Sequence, residues 1–343
     1  MGNICDTSNS KIIIQKREKI SNRNIYNSNN NNEAIKNEKE IRGFPNIGNS
    51  CYINSFLQIL FHCPGFFEEI KKERDDYLIN ALINLKNDPS NDYIYLKSIK
   101  NYMSKVNSIY GTYEQGDSQI FGKYLIDEII KCLKKQYSLI SYCDIELDTK
   151  ENKYNKFIDI NEIGLEKMFL INEIQYKYNP DTINISFNNT LDIEVFFPNN
   201  NEKKYSLNYL LNLKYNHKTI NKNNFQFEKK ICKLPKILII TISRSILNHQ
   251  LNKSKLEYPE TLDMKNYVEY IENKSFKKWD NTNYKLFAIN FKIGNSQYSG
   301  HYCSFIIVNN NWYLFDDKRV IKEKPDFVSE NVVGLFYINQ NIQ

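Results

Sequence analysis

Gly43-Phe44-Pro45-Asn46-Ile47-Gly48-Asn49-Ser50-Cys51-Tyr52-Ile53-Asn54-Ser55-Phe56-Leu57-Gln58-Ile59-Leu60 is the stretch on which the reading of this chain turns. Its first half is a glycine-punctuated loop. Its second half, continued to Phe61, sets Ile53, Phe56, Leu57, Leu60 and Phe61 at i, i+3, i+4, i+7 and i+8, the spacing of one helix face. Asn49 or Ser50 stands where a helix needs its cap, and Pro64-Gly65 follows as a stop. The loop therefore delivers Cys51 into the first turn of a helix, where the positive end of the macrodipole favours thiolate over thiol. A cysteine so placed is a candidate nucleophile, although a lone one is more often structural. Nucleophilic chemistry also needs a general base and donors for an oxyanion.

The chain offers four histidines as a base, at 62, 217, 249 and 301. His62 lies at the far end of the Cys51 helix, about 16 Å away at 1.5 Å per residue. His217 and His249 sit in Asn- and Lys-rich stretches that read as solvated loops. His301 differs, because it follows the turn Gly294-Asn-Ser-Gln-Tyr-Ser-Gly300 and opens the apolar run Tyr302 to Val308, which reads as a strand. A turn at 309–311 returns the chain through Trp312 to Phe315 and on to Asp316-Asp317. Closing that hairpin puts Asp316 opposite or diagonal to His301, within about 4.5 to 8 Å. A base and its orienter then meet, as in a catalytic triad. The alternative at this point is a structural histidine beside a solvated Asp-Asp turn.

Composition narrows the class. In 343 residues, hydrophobic side chains make up 41% and charged ones 25%, with 11 Gly and 8 Pro, which suits a globular chain of one or two cores. Seven scattered cysteines without a CxxC imply neither a disulfide framework nor a zinc site legible in sequence, and suit a reducing compartment. The longest apolar run, Ile237 to Ile242, is far short of the roughly 20 residues that span a bilayer, and the N-terminus lacks a signal-peptide core. A net charge of +6, spread along the chain, is a weak argument for nucleic acid, and no such partner is expected.

The order of patterns predicts an α+β architecture. Residues 1–40, rich in Asn, Lys, Glu and Ser, read as a disordered tail. A second helix is predicted from Ser118 to about Lys134, with Phe121, Tyr124, Leu125, Ile129 and Leu133 on one face. After Lys153 the pattern changes to β-branched and aromatic runs between Asn-rich turns, such as Thr182 to Phe187, Leu191 to Phe197 and Ile237 to Ile242. A helical lobe joined to a larger sheet lobe is the simplest arrangement.

These residues together carry a resemblance to a known family. Gly43 to Leu60 resembles the cysteine box of the ubiquitin-specific proteases, through Gly43, Asn46, Gly48, Asn49, Cys51, Tyr52, Asn54, Ser55, Leu57, Gln58 and Leu60. Tyr284-x-Leu286, Gly294, Gly300-His301-Tyr302, Trp312-Tyr313-x-Phe315-Asp316-Asp317 and Val320 resemble its histidine box. Between them Gln115-Gly116-Asp117-Ser118-Gln119-Ile120-Phe121 resembles the Gln/Asp box, and Leu234-Pro235 with Tyr258-Pro259 resembles the entry into its main sheet.

The resemblance implies a thiol-dependent deubiquitinase, cleaving after the terminal Gly of ubiquitin through a thioester. It implies a papain-like fold over 41–341, with a helical thumb (about 43–165), a fingers extension (about 166–232) and a β-rich palm (about 233–340). It assigns Cys51 as nucleophile, His301 as base and acid, Asp316 as orienter and Asp317 as an auxiliary. Asn46 is implied as oxyanion donor, the alternative from spacing alone being a turn residue. Gln115, Asp117, Gly300 and Tyr302 are implied to receive the substrate tail, with the Gly294–Gly300 turn as a blocking loop.

This chain departs from the family in three places. Cys232 is the only Cys between 144 and 302, whereas many members carry paired CxxC motifs in the fingers, so no metal and no other cofactor is expected. The Gln/Asp box has Gly116 where a second Gln is usual and Ile120 where an acid is usual, while Lys292 replaces a frequent His. A carboxylate lost opposite the Arg-bearing ubiquitin tail would weaken recognition or shift it to a related modifier. The alternatives are therefore a ubiquitin-binding scaffold of low turnover, or a protease for another ubiquitin-like modifier.

A monomer in the cytoplasm is expected, with the nucleus as the alternative compartment. Gly2 and Cys5, followed by Lys11, Lys16, Arg17, Lys19 and Arg23, suit a two-signal acyl anchor and a peripheral membrane position. Asp6 stands where acylation prefers Ser or Thr, and a solvated tail is the alternative.

Overall fold

A computed structural model describes residues 41–71, 76–134, 150, 154, 162–179, 182–198, 202–220, 226–246, 250–271 and 281–340. The predicted tail, with Gly2 and Cys5, and His249 lie outside the described residues.

Helices dominate the first part of the chain. They are α1 (Cys51–Phe61), α2 (Phe66–Ile70), α3 (Tyr77–Asn87), α4 (Asp92–Val106) and α5 (Ser118–Lys134), the last with the predicted bounds. Every residue of α1 from Cys51 to Leu60 is buried, so α1 is a central helix rather than a surface one. The predicted cap differs in chemistry: Ser50 occupies the N-cap, but its side chain makes no capping bond. Its hydroxyl instead takes the Ile47 N–H, at 2.9 Å, turning back into the loop. α5 lies close against α1 because residue 122 is glycine; a Cβ there would stand 2.0 Å from the Phe56 ring.

A short helix, α6 (Gly164–Phe169), leads into the strands β1 (Ile171–Tyr178), β2 (Ile183–Thr190), β3 (Ile193–Phe196) and β4 (Lys204–Ser206). Next comes α7 (Leu207–Tyr215), where the sequence reading placed no helix. Its signal was present in Leu207, Leu210 and Leu211, all buried, and in Ser206, which accepts the Tyr209 N–H as N-cap. β5 (Thr219–Ile220) and β6 (Gln226–Lys233) join β1 and β2 in a four-stranded sheet of order β2-β1-β6-β5.

The remaining strands are β7 (Ile237–Ser243), β8 (Lys255–Glu257), β9 (Thr261–Asp263), β10 (Asn283–Ile293), β11 (His301–Val308), β12 (Asn311–Asp316), β13 (Arg319–Lys322), β14 (Val328–Ser329) and β15 (Val332–Asn339). Most of them build an eight-stranded sheet of order β13-β12-β11-β10-β15-β7-β3, with β9 on β10, while β14, β8 and β4 form a small third sheet. One face of the large sheet packs Leu238, Ile240, Tyr284, Ile289 and Leu335 into the main core, shared with α7. The other face receives α1: Phe56 meets Phe336 edge-on at 5.7 Å and His62 lies 5.0 Å from Phe315. Burying a Phe in this way contributes about 1.5 to 3 kcal/mol. The helical lobe is thus held against the strands that carry His301 and Asp316.

Candidate active site

The β11–β12 hairpin is set by Asn309 and Asn310, whose φ values of 49° and 62° are those of a type I′ turn. Its register pairs Ser304 with Phe315, which puts Asp316 diagonal to His301. Their side chains meet, His301 Nε2 to Asp316 Oδ1, at 2.5 Å. The Cys51 thiol acts on the same ring. Three residues separated by 250 and 15 positions in sequence therefore come together at one site. The Asp316 bond first, then Cys51, raise the His301 pKa from its ordinary 6.5 to about 10, against the opposing effect of burial. The imidazolium is the favoured form of the ring.

Asp317, the next residue, has φ 49°, a left-handed conformation that Asp tolerates. Its carboxylate accepts Asn46 Nδ2 at 2.9 Å and Asn54 Nδ2 at 2.8 Å. It lies within 4.8 Å of the His301 and Asp316 ligand atoms, yet these bonds run to the cysteine loop and to α1. Its backbone carbonyl takes the Phe44 N–H at 2.9 Å. That crossing requires Gly43, since a Cβ there would stand 2.2 Å from the Asp317 oxygen. The hairpin end and the cysteine loop are thereby fastened together.

Asn46 is the centre of the loop. Its Oδ1 accepts the Gly48 and Ser50 N–H groups, both at 3.1 Å, while one of its two amide hydrogens goes to Asp317. Lys100 of α4 holds the Gly48 carbonyl at 3.3 Å and Asn49 reaches the Tyr113 carbonyl at 2.5 Å. No feature of the sequence had marked Lys100 or Tyr113 as partners of the site, and the motif that contains Asn54 gave it no role. Only tertiary packing joins them to it.

Gln115 Nε2 donates to the Gly300 carbonyl at 2.6 Å and lies 3.7 Å from Cys51 Sγ, so it stands beside the nucleophile candidate. Asp117 caps α5, its Oδ1 taking the N–H groups of Gln119 and Ile120 at 2.8 and 3.0 Å, and its Oδ2 accepts the Tyr302 hydroxyl at 3.1 Å. Tyr302 is buried and burial raises its pKa well above the usual phenol value, so it acts as a neutral donor. Gly300 needs its glycine: φ is 153° and a Cβ would stand 2.7 Å from the Ile293 carbonyl oxygen. His62 bonds the Gln58 carbonyl at 2.8 Å within α1, and His217 is exposed. His301 is the histidine that the fold brings to Cys51.

The sequence profile of the ubiquitin carboxyl-terminal hydrolases matches residues 42–337. Ubiquitin carboxyl-terminal hydrolase 4 of Arabidopsis thaliana is 26% identical over 334 residues, covering 86% of this chain and 87% of that protein. Ubiquitin carboxyl-terminal hydrolase 12 of Salmo salar is 25% identical over 319 residues, covering 84% and 83%. Among solved structures, the SAGA Ubp8/Sgf11/Sus1/Sgf73 DUB module bound to ubiquitin aldehyde matches with a TM-score of 0.69 at 20% identity, over 100% of this chain and 77% of that one. The last likeness concerns the fold. The family match runs unbroken from the cysteine loop through α5 to the His301–Asp316 hairpin and β15, so the chain belongs to the ubiquitin carboxyl-terminal hydrolase family.

Proposed function

We propose that the chain carries out its family's hydrolysis with Cys51 as nucleophile, His301 as base and acid, and Asp316 as orienter. The observation that carries this is the His301–Asp316 bond presented to Cys51 at the start of α1, with Gln115 joining Cys51 Sγ to the Gly300 carbonyl beside His301. His301, as the imidazolium that already holds the thiol proton, faces the Cys51 thiolate, which attacks the carbonyl carbon of the terminal glycine of ubiquitin. The developing oxyanion is met by the remaining amide hydrogen of Asn46, a preorganised donor worth about 2.7 to 4 kcal/mol. The imidazolium then gives its proton to the departing amine, leaving a thioester on Cys51. Water, deprotonated by His301, attacks the thioester carbonyl and releases the carboxylate and the thiol.

In this reading the helical lobe is a papain-like thumb, the large sheet a palm and the four-stranded sheet the fingers. Gln115, Asp117, Gly300 and Tyr302 line the way to Cys51, with Asp317 supporting Asn46 rather than His301. A cytoplasmic, monomeric enzyme drawn to membranes by acylated Gly2 and Cys5 is the matching proposal for its place in the cell. Gly2→Ala moving the protein from membranes to the soluble fraction supports it, and unchanged partitioning refutes it.

One observation favours a second substrate. Ile120, beside Asp117 at the start of α5, is 48% exposed and apolar where the family carries an acid. An apolar side chain there suits a modifier whose tail lacks the cation that such an acid would meet. Steady-state cleavage of carboxyl-terminal fluorogenic amides of ubiquitin and of related modifiers, by wild type and Ile120→Glu, separates the two. Ubiquitin as substrate is supported if wild type cleaves its amide fastest and Ile120→Glu improves it. Faster cleavage of another modifier, impaired by Ile120→Glu, gives that modifier the place of ubiquitin.

A further inference from the structure

Lys292 lies on β10, directly across from Tyr302 on β11, and is only 5% exposed. Such burial is unusual for a lysine without a carboxylate partner. Its ammonium sits 5.4 Å from the centre of the Tyr302 ring and donates to the carbonyl of Gln297 at 2.7 Å. Gln297 is at the middle of the Gly294–Gly300 loop. The lysine stem runs under the same loop, its Cε 3.4 Å from where a Cβ on Gly300 would be. Tyr302 passes the connection on to Asp117 at the head of α5.

Other bonds hold the ends of the loop. Lys253 Nζ donates to the Gly294 carbonyl, Gln250 bridges Ser296, and Gln115 holds Gly300 beside Cys51. The neck is narrow, since a Cβ on Gly294 would come within 2.9 Å of the Gly300 Cα. Between these ends, exposed Tyr298 follows Gln297, which the Lys292 bond holds, and its N–H donates to the Ser296 hydroxyl.

We infer that Lys292 is a positioning residue for substrate entry: through Gln297 and Tyr302 it clamps the Gly294–Gly300 loop in one position over the cysteine, and so sets affinity for the substrate tail rather than the rate of the chemical step. The inference rests on the hydrolase reading above. Burial lowers the Lys292 pKa, and Asp117 and Cys51 oppose that shift. A fixed loop spares the incoming tail the entropy of ordering it, which is where such a clamp acts on binding.

The test compares the full chain with Lys292→Met, which keeps the apolar stem and removes the charged donor. With the ubiquitin fluorogenic amide, KM is expected to rise about tenfold while kcat stays within about threefold. Chymotryptic cleavage after Tyr298, followed by mass spectrometry under native conditions, is expected to quicken by about fivefold or more as the loop loosens. Should Lys292→Met melt far below wild type, Lys292→Gln, polar but one atom short of the Gln297 carbonyl, takes its place. An unchanged cleavage rate after Tyr298, or a fall in kcat at constant KM, overturns the clamp. A wild-type chain that leaves the ubiquitin amide intact refutes the hydrolase reading instead, and the proteolysis, which needs no ubiquitin, then decides on the clamp alone.

Discussion

The seam between the cysteine loop and the β11–β12 hairpin and the four-stranded sheet β2-β1-β6-β5 are built on opposite principles. In the seam, single atoms decide: Asp317 grips Asn46 and Asn54, Gly43 lets the Phe44 N–H reach a carbonyl, and His301 is fixed by Asp316. In the small sheet, area decides. Tyr154, Ile174, Phe187, Cys232 and Ile271 form one apolar cluster beside β1 and β6. Polar ties add to it, within the cluster from Tyr154 to the Cys232 carbonyl at 3.4 Å and at its margins from Tyr176 to Glu269 at 2.6 Å and Tyr178 to Glu228 at 2.8 Å. Substitutions in the seam should thus cost activity with little loss of stability, and those in the sheet the reverse.

The largest effects belong to the seam. Cys51→Ala should reduce hydrolysis to background with an almost unchanged melting temperature, and His301→Ala should cost on the order of 10⁴ in kcat. Asn46→Ala should follow at about 10² to 10³ in kcat, with KM little altered, if its amide meets the oxyanion. Activity near wild type in any of these, measured with a fluorogenic ubiquitin amide, breaks the comparison on its catalytic side.

On the other side, Phe187→Ala should cost about 3 to 5 kcal/mol of stability by opening a cavity in the small sheet's cluster. Urea unfolding reads that loss, while a small thioester should still acylate Cys51 at close to the wild-type rate. An Ala at position 187 that leaves stability intact but removes activity would show the sheet to be part of the reacting machinery.

Much of this division was legible in the sequence. The Asn309–Asn310 turn and the apolar runs beside it located His301 against Asp316, and the period of Phe121, Leu125 and Ile129 gave α5 its full length. Chemistry that depends on a local turn or a helix period is written locally. What escaped was tertiary: the role of Asp317 as a clasp on Asn46, the meeting of Asp117 with Tyr302, and the approach of Lys100 from α4. Each joins residues far apart in the chain through side chains whose types, Asn, Asp and Lys, are common everywhere in this sequence. The four-stranded sheet gave no motif at all, since packing of Tyr154 on Phe187 leaves no pattern of spacing to find.

A smaller effect tests the electrostatics. The His301 pKa is raised above its ordinary 6.5 to about 10, chiefly by Asp316, so this bond stabilises the fold fully below pH 6.5 and its contribution is lost as pH rises through about 10. The stability gap between wild type and Asp316→Asn should therefore be widest near pH 6 and close by about pH 10. A gap that widens with rising pH contradicts the assignment. The smallest effect expected is none: a strong chelator should leave activity unchanged, because Cys232 is buried and gives its thiol hydrogen to the Asn172 carbonyl at 3.3 Å. Loss of activity that zinc restores would overturn that view of the sheet.

The most direct test of the central claim is to react the full chain with ubiquitin carrying a carboxyl-terminal electrophile and to locate the adduct by mass spectrometry. The account predicts one ubiquitin per chain, attached to Cys51, formed slowly in His301→Ala and absent in Cys51→Ala. An adduct on Cys63, Cys232 or Cys303, or equal labelling of His301→Ala and wild type, would contradict it.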